Sequence, residues 1–181
     1  MTRLTVRIMM LAALLAAPAI ASESRTLDAL ERVPVYSGDT GEPADERRAR
    51  LGEMAQAIDG ATHNRDERAM LIALAIHESN LARYVQLDLG ACSDGASLRC
   101  DRGKAWSPWQ LHGTDRTGGV TVAAQIAVGK LRAARRVCEE RHGTRIEPVA
   151  AAMSLYGTGA TCQWPGVSAR VATYRRIVGT L

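Results

Sequence analysis

The run Ala69-Met70-Leu71-Ile72-Ala73-Leu74-Ala75-Ile76 carries no polar side chain, and it passes directly into His77-Glu78-Ser79-Asn80-Leu81. Asn64 stands where a cap is needed and Glu67 follows three residues later, the spacing of a capping box, so a helix is predicted from Arg65 onward. At 3.6 residues per turn Leu71, Leu74 and Ala75 stack beneath Glu78, and the carboxyl continues the apolar face. The expectation is a buried helix that ends on a partly hydrated acid. Apolar neighbours and the negative end of the helix dipole both disfavour the carboxylate, which is how a general acid keeps its proton near neutral pH. Taken alone, a Glu in this position is more often a carboxylate paired with an arginine, so the rest of the chain has to decide.

The N-terminus has Arg3 and Arg7, an apolar stretch from Ile8 to Ala17, and Ala19-Ile20-Ala21 before Ser22. These are the parts of a secretory signal peptide, predicted over residues 1–21 with cleavage after Ala21. The alternative, an uncleaved anchor, has an apolar stretch short for a span. Residues 22–181 suffice for one domain with its own core, and no later apolar run reaches membrane-spanning length. The product is expected to be exported, periplasmic or secreted, with no membrane span once the signal is removed. Of the formal net charge of +4, two units belong to Arg3 and Arg7. The weak basic bias that remains suits an anionic cell envelope and lacks the concentrated stripe that nucleic-acid binding requires.

Cys92, Cys100, Cys138 and Cys162 all follow the signal. An even number in an oxidising compartment reads as two disulfides with three pairings open, and Cys92–Cys100 with Cys138–Cys162 is the favoured one. The first closes a short polar loop. The second ties the end of one helix to the loop after another. Zinc is the rival, but there is no close C-x-x-C pair, and His77 lacks the second His of a zinc-protease helix because Leu81 stands there. A cysteine nucleophile has no activated setting. No metal or cofactor is expected.

Residues 22–43 form an N-terminal extension, weakly helical from Ser22 to Val33, followed by a turn-rich connector over Tyr36 to Pro43 that is expected to move. Leu51, Met54, Ala55 and Ile58 mark an amphipathic helix over Ala44 to Ile58, ended by Gly60. Between Ala82 and Gly119 regular patterning stops, and glycines and Pro108 accumulate. So long an irregular stretch in a compact domain points to binding residues, with a short hairpin expected around Cys92 and Cys100. Helical periodicity returns at Val120 with Thr121 as cap and Gly143 past the end. Pro148 then starts a helix stopped by Gly157 and Gly159, and Ser168 to Val178 forms the last. The fold class is mainly α.

Four segments, in order, resemble the lytic transglycosylase and goose-type lysozyme family. Ile76-His77-Glu78-Ser79-Asn80-Leu81 is similar to its catalytic Glu-Ser segment, and Ser107-Pro108-Trp109-Gln110-Leu111 to its Gly-Leu-Met-Gln segment. Ala152-Met153-Ser154-Leu155-Tyr156-Gly157-Thr158-Gly159 resembles its Ala-Tyr-Asn-Ala-Gly segment, and Val171, Tyr174 and Ile177 sit in a helix like its last one. The resemblance implies a lysozyme-like helical domain over residues 44–181 with a groove for the glycan strands of peptidoglycan. Carried over residue by residue, it makes Glu78 the catalytic acid and base, Gln110 and Tyr156 groove residues, and Ser79 a neighbour of the acid. Trp109 stands for the family's Met, with a ring able to pack or to stack on a sugar. Gly157 stands where the family has Asn, so a hydrogen bond to a sugar acetamido group is lost or supplied elsewhere. Ser107 and Pro108 replace Gly and Leu and alter that turn.

The implied reaction is cleavage of the β-1,4 bond between N-acetylmuramic acid and N-acetylglucosamine, leaving 1,6-anhydro ends. Two alternatives stay open: a hydrolytic lysozyme, and an exported peptidoglycan-binding protein that keeps the groove without the chemistry. Trp106, Trp109 and Tyr156 also have plain packing roles available to them. Asp88, Asp94, Asp101 and Asp115 offer a second carboxylate for an inverting mechanism, none marked out by its context.

Overall fold

The computed structural model describes residues 24–86, 105–112 and 118–181. The predicted signal peptide, the Cys92–Cys100 link and the four aspartates 88, 94, 101 and 115 lie outside those residues. The architecture is mainly helical, as expected: α1 (Arg25–Glu31), α2 (Ala44–Ala61), α3 (Arg65–Ser79), the single turn α4 (Arg83–Gln86), α5 (Gly119–His142), α6 (Pro148–Thr158) and α7 (Ser168–Val178). Strands β1 (Ala105–Trp106) and β2 (Leu111–His112) pair antiparallel, Ala105 opposite His112 and Trp106 opposite Leu111. This hairpin is built around the Ser107–Gln110 turn, and the one expected around Cys92 and Cys100 falls outside the described residues.

Helix α3 is the pole of the core. Every side chain from Ala69 to Ala75 is buried, with α7 packed along it and α2, α5 and α6 completing the surround. The Asn64 side chain accepts from the backbone N–H groups of Asp66 (2.9 Å) and Glu67 (3.1 Å), so the cap is as expected. The reciprocal half of the capping box is not. Glu67 accepts from Thr62 Oγ1 (2.5 Å) and from Arg132 Nε (2.8 Å) and Nη2 (2.7 Å), and it is Thr62 that accepts from Asn64 N (3.1 Å). A carboxylate within reach of a guanidinium makes the stronger, charge-assisted bond, and this one ties α3 to α5.

Helix boundaries differ where glycine was read as a stop. Helix α2 continues through Gly60 to Ala61, and α6 through Gly157 to Thr158, where Gly159 at φ 66° ends it. Glycine weakens a helix interior by only about 1 kcal/mol, whereas the left-handed C-cap conformation favours it, with Asn the usual substitute, as at Asn80 after α3. Helix α5 starts at Gly119 with no side-chain cap, so Thr121 lies inside it.

The N-terminal extension belongs to the core. Ala29 and Leu30 are buried against α2, and Ser24 Oγ (2.6 Å) and Thr26 Oγ1 (2.5 Å) both donate to Asp59. The turn-rich connector is likewise tied to α2. Glu42 takes a two-pronged ion pair from Arg50, Nε to Oε1 at 2.8 Å and Nη2 to Oε2 at 2.7 Å. Arg50 Nη1 reaches on to the Leu81 carbonyl and Gln86 Oε1, both at 2.9 Å. This buried arginine thus fixes the chain as it leaves α3, where Asn80 (φ 53°) and Leu81 (φ 56°) are both left-handed. Two successive non-glycine residues in that region persist only where their surroundings hold them.

Candidate active site

Glu78 occupies the last turn of α3, with its side chain 19% exposed, which is the partial hydration expected of it. Its counter-charge is the Arg170 guanidinium, Nη2 lying 2.7 Å from Oε1, on a side chain only 11% exposed. An opposite charge at this distance favours the ionised form against the apolar neighbours and the helix end. Arg170 lies in the first turn of α7, which packs along α3.

Three features hold that guanidinium. Its far face lies over the Trp164 ring, 4.8 Å from the centroid. Trp164 is set by the loop before it: Cys162 is joined to Cys138 of α5, the predicted disulfide, with Cα atoms 5.7 Å apart. The Trp164 N–H then donates to the buried Ser154 Oγ of α6 at 3.3 Å. The third feature is Gly157, where a Cβ would lie 2.0 Å from Arg170 Nη1. Any side chain at 157 would have to displace the guanidinium.

Tyr156, next to Gly157, donates its hydroxyl to the Trp109 carbonyl at 3.1 Å and so couples α6 to the hairpin turn. Desolvation, with the negative charge of Glu78 adding to it and Arg170 opposing, pushes the phenol far above its ordinary range. It remains a neutral donor, close enough to Glu78 to feel its charge. Gln110 is half-buried in the same turn, its Nε2 donating to the Ser107 carbonyl at 3.2 Å. Ser107 (φ 67°) and Gln110 (φ 48°) both hold left-handed conformations, so the turn that the resemblance singled out is strained at its two ends.

Two expected substrate contacts are corrected. Trp109 is 0% exposed and donates its indole N–H to the Leu71 carbonyl at 2.9 Å, a core ring that seats the hairpin on α3. It has no face for a sugar, because a large flat ring fills the gap between hairpin and helix more favourably than it covers surface. Ser79 is 2% exposed, donating to the Ala75 carbonyl at 2.8 Å and accepting from Leu81 N at 3.3 Å. It secures the helix end inside the protein.

Arg170 and Trp164 escaped the sequence reading. Neither was singled out, because nothing in the residues around them marks a buried guanidinium or the ring that covers it. The signal that pointed to them was Gly157, a missing side chain at a place where one was expected. Among the described residues no group of His, Cys, Asp and Glu is arranged to hold a metal. No described helix is long and apolar enough to cross a membrane. The chain matches no protein-family model, no curated protein and no solved structure.

Proposed function

We propose that this protein is a lysozyme-like lytic transglycosylase that cuts the glycan strands of peptidoglycan with Glu78 as its acid and base. The observation that carries this reading is the carboxyl at the end of the buried α3, with Tyr156 of α6 feeling its charge and bonded to the Ser107–Gln110 turn. In the proposed reaction protonated Glu78 donates to the oxygen between N-acetylmuramic acid and N-acetylglucosamine while the substrate's acetamido group shields the developing cation. The resulting carboxylate takes the proton of the muramic acid 6-hydroxyl, and a 1,6-anhydro ring closes.

The ion pair with Arg170 favours a second reading, a peptidoglycan-binding protein without turnover, because a carboxylate held by a guanidinium gives up the proton an acid needs. Mass spectrometry of peptidoglycan incubated with the purified protein separates the outcomes. Anhydro ends are expected. Reducing ends would make the protein a hydrolase, and intact strands would leave the binding reading.

A further inference from the structure

The Arg170 guanidinium is oddly placed for a structural ion pair. One nitrogen, Nη2, meets Glu78, but the other, Nη1, is buried and has no hydrogen-bond acceptor among the described residues. Gly157 leaves it room, and the Trp164 ring covers one face. A guanidinium presents its N–H groups as a planar fork that matches two oxygens at once, and a buried arm without an acceptor costs stability. An arrangement maintained at that cost has an acceptor to gain on binding.

The charge of the incoming group follows from the same burial. Moving Arg170 off Glu78 onto a neutral carbonyl would leave a mostly buried cation without counter-charge, which is strongly unfavourable. Exchange of one carboxylate for another leaves the cation paired throughout. We infer that Arg170 reads a carboxylate on the bound glycan, and that this carboxylate draws the guanidinium away from Glu78. The inference rests on the proposed function and deepens it, because it makes Glu78 available as an acid only when an anionic strand is in place. Once Arg170 has turned to the ligand, its charge no longer opposes the effect of the apolar neighbours and the helix end on Glu78. Arg170 is then a specificity residue toward the substrate and a positioning residue toward Glu78.

In peptidoglycan the carboxylates come either from the lactyl group of muramic acid, free once the peptides are removed, or from the peptides themselves. The test uses four preparations: peptide-free and peptide-bearing strands, each with its carboxyls intact or chemically reduced to alcohols. Calorimetric binding and turnover are measured in parallel for wild type, Arg170→Gln and Arg170→Lys, with circular dichroism to check folding. In wild type, reduction of one strand type should raise Kd and KM by about tenfold or more, the scale of one charged hydrogen bond, and should lower kcat as well. The strand type that responds identifies the source of the carboxylate. In Arg170→Gln the difference should vanish. Arg170→Lys, which keeps the charge and loses the fork, should show a reduced difference and serves if the Gln variant does not fold.

Equal binding of intact and reduced strands by wild type overturns the inference, as does a preference that persists without Arg170. Carboxylate-dependent binding with no turnover on any strand supports Arg170 as the reader while removing the enzymatic reading.

Discussion

Replacing Gly157 by Ala puts a methyl group where Arg170 Nη1 now lies, 2.0 Å from the new Cβ. Two effects oppose each other. Alanine is the better helix former by up to about 1 kcal/mol, and Gly157 lies in the last turn of α6 at an ordinary helical φ. Against this, the guanidinium must leave Glu78, and an ion pair between mostly buried side chains contributes between the roughly 1 kcal/mol of an exposed pair and the roughly 3 kcal/mol of a buried one. Both side chains are mostly buried, so solvent screening does not erase that loss. Net destabilisation by about 1 kcal/mol is expected from urea unfolding of Gly157→Ala. In an Arg170→Gln background the obstruction is gone, and the same substitution should be neutral or stabilising by up to about 1 kcal/mol. The double-mutant cycle then gives a coupling of about 1 to 2 kcal/mol between positions 157 and 170. If Gly157→Ala changes stability equally in both backgrounds, Gly157 is not there to make room for Arg170, and the account of the pair is wrong.

Glu78→Gln keeps the shape of the carboxyl and removes its proton chemistry, so peptidoglycan cleavage should fall by at least about 100-fold with a native circular dichroism spectrum; undiminished turnover would remove Glu78 from the mechanism. Mass mapping of the unreduced protein should recover Cys138 linked to Cys162, and Cys92 linked to Cys100; replacing the first pair by Ser should cost about 2 to 4 kcal/mol and weaken glycan binding through the Trp164 loop. Arg50, by hydrogen bond and charge, holds the Glu42 carboxyl below its ordinary 4.5 against the opposing effect of burial, and Arg132 with Thr62 does the same for Glu67. Since the folded values lie below the unfolded ones, this stabilisation is complete above about pH 4.5 and is lost as pH falls through the folded values. Urea midpoints taken between pH 6 and 3 should drop, and less steeply in Glu42→Gln; an unchanged slope would show that Glu42 is not a source of the acid sensitivity.

The caps show what could be read from neighbouring residues. Asn64 before α3 and Glu147 with Pro148 before α6 fall where predicted, because a cap bonds backbone groups two or three residues away, and the Ser168–Val178 span of α7 follows its apolar periodicity without a side-chain cap. Glu78 at the end of an apolar run was legible for the same reason, and the Cys138–Cys162 pairing was legible from the even cysteine count and the placement of its two partners at a helix end and in a loop. Trp109 was not placed correctly, because its environment is the carbonyl of Leu71, far away in sequence, and an aromatic in a glycine-rich stretch packs inward or outward with equal local sense. Arg50 and Arg170 were invisible as buried groups for a related reason: periodicity separates apolar from polar faces, and a guanidinium counts as polar whether water or a distant carboxylate surrounds it.

The sequence by itself determined that the chain is mainly helical, where α3 and α6 begin, and that an acid closes the most apolar of its helices. Those properties follow from periodicity and capping within a turn or two of each residue. Only the tertiary structure decided the charge environment of that acid. The packing of α7 along α3 brings Arg170 to Glu78, a disulfide-anchored loop puts Trp164 against the guanidinium, and the absence of a side chain at Gly157 leaves it room. Each of these is a contact between residues distant in the chain, and electrostatics acts through space rather than along the backbone.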